Sequence, residues 1–89
     1  MERIDTASQL GMAIRAERKR RGLTQAELAE WCNVGINFVS EVERGKETAE
    51  IGKILRLIQK LGLVASIESR GTWNKISRYT ESEAFKQRS

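Results

Sequence analysis

Proline and histidine are absent from this chain, cysteine occurs once, at Cys32, and no apolar run approaches membrane-spanning length. Each absence excludes something. Without proline no helix is broken by a fixed φ or a missing amide, which suits a compact, mostly helical body. Without histidine the usual imidazole base, zinc ligand and neutral-pH switch are gone. A single cysteine cannot close an intrachain disulfide, and its simplest use is as a small apolar filler at a helix end. No nucleophile has a convincing activating partner, so neither an enzyme nor any metal or cofactor is expected. With no secretory signal and no long apolar segment, a cytoplasmic location is expected.

What is present fits one small domain with a tail. Eighty-nine residues bury a limited core, so association with a second copy would add stability. The net charge of +4 suits a nucleic-acid or other anionic partner without proving one. The charge is uneven. Residues 1–22 hold six bases (Arg3, Arg15, Arg18, Lys19, Arg20, Arg21) and three acids, whereas residues 23–45 hold one base, Arg44, and four acids. Any positive patch must come from the end of the first helix and from the region after Gly45.

Helix boundaries are written locally. Thr6-Ala7-Ser8-Gln9 matches a capping box, and Gly22 closes the helix it starts. Thr24 with Glu27 makes a second capping box, opening a helix from Gln25 to Cys32 that points Leu28 and Ala29 inward. Asn33 is suited to a left-handed turn. A third helix begins at Val34 or Gly35 and ends near Gly45, with Val39 and Val42 facing the core. Thr48 is read as the cap of a fourth helix that Gly62 ends. Of its stripe of Ile51, Ile54, Leu55, Ile58 and Leu61, the first four are assigned to the core, whereas Leu61 extends toward a dimer contact. Two short helices joined by a tight turn, the second with exposed polar side chains, form the layout that places one helix in the DNA major groove.

The segments Arg15–Gln25 and Phe38–Lys46 resemble the phage-repressor, Xre or Cro/C1-type, helix-turn-helix regulators over about residues 8–62. With Thr48-Ala49-Glu50 and the apolar run 63–69, the chain is similar to HipB-like antitoxins. The resemblance implies an all-α, lambda-repressor-like domain of four to five helices with a short C-terminal strand pairing across a dimer. It implies a cytoplasmic repressor that autoregulates its operon as a homodimer on a double-stranded operator and restrains a kinase-fold toxin. A stand-alone phage-type repressor and a pure protein-interaction inhibitor are the alternatives. It also implies an ion pair between Arg18 and Glu43 tying the first helix to the third, and a phosphate-holding role for Gln25.

Base reading falls to the exposed face of the third helix: Gly35 at its entrance, then Ile36, Asn37, Ser40 and Glu41. Asn37 can bond adenine through two hydrogen bonds, Glu41 can accept from cytosine, and Ile36 can meet a thymine methyl. Thr24 and the free amides beside it suit a phosphate, and Arg44 and Lys46 are placed to follow the backbone.

Leu63, Val64, Ala65 and Ile67 are too apolar for a free tail, and a lone strand needs a partner. Together with Leu61 they are expected to build the dimer, which completes a DNA-binding and dimerisation domain over 1–70. Residues 71–89 read as a flexible tail. Trp73, Tyr79 and Phe85 lie there among polar residues, as anchors for a partner or for the body of the same chain.

Overall fold

The computed structural model describes residues 3–69. Four helices make up this part: α1 (Ala7–Arg20), α2 (Gln25–Cys32), α3 (Ile36–Glu43) and α4 (Ile51–Lys60). The first two start as their caps dictate. The Thr6 hydroxyl accepts from the Gln9 amide at 3.1 Å while the Gln9 side chain accepts from the Thr6 amide at 3.1 Å. Thr24 and Glu27 repeat the exchange at 3.0 and 2.8 Å.

All four helices end the same way. The amides of Leu23, Val34, Lys46 and Leu63 reach back to the carbonyls of Arg18, Ala29, Glu41 and Ile58, five residues earlier. The residue before each, Gly22, Asn33, Gly45 or Gly62, has positive φ and donates to the carbonyl three residues back. This is the Schellman closure, which satisfies carbonyls that a helix end otherwise leaves unpaired.

The fourth helix departs from its expected start. Glu50, not Thr48, stands at the N-cap of α4, and no side chain caps it. Between them Ala49 packs against the core, so tertiary packing sets the entry of this helix rather than a local hydroxyl.

The core consists of Ile14, Leu28, Ala29, Cys32, Val39, Val42, Ile54, Leu57 and Leu61, with Leu10, Leu23, Val34, Phe38, Ala49, Ile58 and Leu63 around it. Helix α3 packs on α1 and α2, and α4 packs on α2. The inward face of α4 differs from the expected one. Ile54, Leu57 and Leu61 are buried, whereas Ile51 and Leu55 are 66% and 50% exposed. At about 100° per residue, Ile51 and Leu55 stand roughly a quarter turn or more from the line through Ile54, Leu57 and Leu61. Leu61 is therefore spent on the core of its own chain, which corrects its assignment to a dimer surface. Its burial is complete.

Among the described residues there is no strand. Residues 63–69 carry no regular secondary structure; Leu63 rests on the core, while Val64 and Ile67 are almost entirely exposed. Trp73, Tyr79 and Phe85 lie outside the described residues.

Two features fix how α3 is held. Gly11 of α1 meets the end of α3 backbone to backbone: a Cβ there would overlap the Val42 carbonyl oxygen and come within 2.9 Å of that of Glu43. On the other side, Arg56 of α4 donates to the carbonyls of Cys32 and Asn33 at 3.2 and 3.3 Å, gripping the turn that leads into α3. Lys53 lies 5.6 Å over the Phe38 ring and Lys60 5.5 Å over that of Trp31, so cations also bridge α4 to α3 and α2.

Candidate nucleic-acid interface

On α3 the hydrophobic pattern settles orientation. Val39 and Val42 are buried and Phe38 is partly so, which turns the opposite face outward. Residues 37, 40, 41 and 44 lie three and four apart and share that face. Asn37 and Ile36 are exposed, Ser40 and Glu41 half-buried, and Gly35 is an open N-cap with no side chain in the way. An Asn amide on such a face has two hydrogen-bonding groups free for a base edge.

The back of α3 is anchored by charge. Arg18 Nε donates to Glu43 Oε2 at 2.7 Å and Nη2 to Oε1 at 3.0 Å, while Nη1 donates to the Leu23 carbonyl at 2.7 Å. The two side chains retain 8% and 2% of their exposure, so this is a buried, two-pronged pair rather than a solvated one. Gln25 adds a bond from Nε2 to Glu43 Oε1 at 3.0 Å. Burial pushes the Glu43 carboxyl up, but the hydrogen bonds from Arg18 and Gln25 outweigh it and hold the carboxyl below its ordinary range. The bond to Glu43 correspondingly raises Arg18. Among the described residues no buried side-chain polar atom lacks a partner.

Gln25 thus joins the start of α2 to the end of α3, and Thr24 exposes its side chain beside the first amides of α2. The cations after α3 are held differently from each other. Arg44 Nη1 donates to the neutral Ser40 hydroxyl at 2.8 Å, and Lys46 Nζ lies 3.2 Å from Glu41 Oε1. Glu41, Arg44, Gly45 and Lys46 line one shallow concavity. At the end of α1, Arg20 and Arg21 both pair with Glu17, whose carboxyl their hydrogen bonds lower.

Expected site residues on α2, α3 and the turn after it therefore share one neighbourhood. Val64, Ala65 and Ile67 follow the end of α4 and are exposed. Sequence reasoning missed Arg56 and Gly11. Gly11 left a signal, since a glycine inside a helix is costly without a packing reason. Arg56 left none, because its partners are carbonyls more than twenty positions away. Cys32 is buried; desolvation pushes its thiol up, consistent with its use as filler.

A family model described as a helix-turn-helix domain matches residues 9–66. The uncharacterized HTH-type transcriptional regulator y4mF of Sinorhizobium fredii is 40% identical over 74 residues, 83% of this chain and 97% of that one. Among solved structures, a HipB–O4 20mer complex contains a chain similar to this one, with TM-score 0.72 and 22% identity over 80% of this chain and 100% of that chain. A HipA–HipB–O2–O3 complex gives the same values. At that identity the likeness concerns the fold.

Proposed function

The chain belongs to the helix-turn-helix family of DNA-binding transcriptional regulators, and on that premise we propose that it is an autoregulating repressor and the antitoxin of a HipBA-like module. In this reading it binds a palindromic operator in the cytoplasm as a homodimer and restrains a kinase-fold toxin. The observation that carries the DNA half is the outward face of α3, with Asn37 exposed and the helix fixed from behind by Arg18, Glu43 and Gln25. Thr24, Gln25 and Arg44 supply phosphate contacts, and Gly35, Ile36, Asn37, Ser40 and Glu41 meet base edges.

Four apolar side chains without cover in one chain support the homodimer: Ile51 and Leu55 on α4, and Val64 and Ile67 beyond it. Pairing of segment 63–69 with its copy about a two-fold axis satisfies both backbones and sets two recognition helices for half-sites ~34–36 Å apart. The toxin half is supported by the likeness to HipB, whose solved structures include operator and HipA complexes.

A gel shift on the DNA upstream of the chain's own gene tests the first half. Asn37→Ala is expected to cost ~1–3 kcal/mol on the specific site and little on random duplex, and Arg44→Ala to weaken both alike. Equal losses on both duplexes for Asn37→Ala remove its base-reading role. Co-purification with the product of the adjacent gene tests the second half, and its absence leaves a stand-alone repressor.

A further inference from the structure

The Schellman closure usually carries an apolar contact between its first and last residues. In α2 and α4 that pair is Ala29 with Val34 and Ile58 with Leu63, apolar in both cases. At the end of α1 the last residue is again apolar, Leu23. Only at the end of α3 is the pair charged at both ends: Glu41 and Lys46, joined side chain to side chain at 3.2 Å. Their side chains are 40% and 47% exposed, and Glu41 shares its face of α3 with Asn37 and Ser40. An ion pair this wet contributes little to the fold, so stability does not explain the exception.

DNA changes the balance at this spot. A carboxylate brought close to phosphates is repelled unless a donor meets it, and a lysine held on that carboxylate is withheld from phosphate. Arg44 has no such restraint, because its partner is a neutral hydroxyl. We propose that Glu41 and Lys46 form a sequence-dependent gate. On random duplex Lys46 stays on Glu41. On the cognate site a cytosine amino group donates to Glu41, and Lys46 moves to a phosphate, so one matched base releases one backbone contact. The gate adds cost to wrong sequences rather than affinity to all. It rests on the reading that α3 enters the major groove.

Selection from a randomised duplex library, followed by binding titrations in increasing salt, tests it with the intact chain. The wild type is expected to enrich cytosine at one position of each half-site. Glu41→Ala is expected to lose that preference and to steepen its log–log salt slope on random duplex by ~0.9, as Lys46 becomes free for phosphate. Lys46→Met places an apolar residue where the other closures have one. It is expected to keep the cytosine, to lose ~0.9 of slope on the selected site and to leave the slope on random duplex unchanged. Retention of the cytosine by Glu41→Ala overturns the proposal, as does an equal loss of slope on both duplexes for Lys46→Met. A wild type that enriches no sequence removes the base-reading function itself, a separate failure.

Discussion

Gly11 and Gly52 both lie inside unbroken helices, α1 and α4, and their surroundings give them opposite roles. A Cβ at Gly52 meets nothing within 4 Å, so Gly52→Ala is expected to stabilise the domain by about 0.5–1 kcal/mol through backbone entropy. Gly11→Ala drives a methyl into two carbonyl oxygens of α3, and overpacking of that kind costs about 1–3 kcal/mol or more. Urea unfolding of the two variants gives opposite signs if this packing is right. Arg18→Ala strands a buried carboxylate and is expected to cost ~3–5 kcal/mol, against under ~1 kcal/mol for a surface pair. Replacing both partners at once, Arg18→Met with Glu43→Leu, is expected to recover most of that loss. The lowered Glu43 carboxyl also sets a pH dependence. Its stabilisation is complete above the ordinary value near 4.5 and is lost as pH falls from there through the lowered folded value, because the unfolded chain binds the proton first. Unfolding midpoints measured downward from neutrality are expected to drop steeply in that window, and less so for Glu43→Gln.

At the level of elements, the parts legible in the sequence were those decided within a few residues. Thr6 with Gln9, Thr24 with Glu27, and the positive-φ residues Gly22, Asn33, Gly45 and Gly62 mark boundaries by local hydrogen bonding. The start of α4 was not legible, because Ala49 is placed by the core and Thr48 makes no cap. Thr24→Ala is accordingly expected to cost about 0.5–2 kcal/mol and Thr48→Ala almost nothing, which thermal melts can separate. The inward face of α4 was only half legible. Its apolar stripe is wider than one packing surface, and periodicity cannot say which edge of a wide stripe meets the core. On α3 the two valines left no such choice, so the outward face followed directly. The ion pair of Arg18 and Glu43 came from the family resemblance, since nothing local links positions so far apart.

For the molecule as a whole, the exposed apolar side chains that bear on assembly are those toward the C-terminal side of the described residues: Ile51, Leu55, Val64 and Ile67. If segment 63–69 builds the dimer, a chain cut after Gly62 is expected to fold, to sediment as a monomer and to bind a half-site weakly. If the cut chain remains a dimer, the exposed side of α4 is the contact, and Leu55→Glu is then expected to dissociate it. Either result identifies the element that sets the spacing between two copies of α3.

The close approach at Gly11 also has a mechanical meaning. Helix α3 is clamped at its last turn, where its carbonyls rest on α1, while Asn37 stands about six residues away, roughly 9 Å along the axis. Rotation about this clamp is opposed by the hold of Arg56 on the Cys32 and Asn33 carbonyls and by the burial of Val39; where a wedge overcomes them, α3 swings about its last turn as a lever. A tilt of ~10° at the clamp displaces Asn37 by roughly 1.5 Å along that arm, enough to spoil a pair of hydrogen bonds to one base. Arg44, beside the fulcrum, hardly moves. A wedge at the clamp, as in a Gly11→Ala chain that still folds, therefore blurs which sequence is read long before it loosens the grip on DNA.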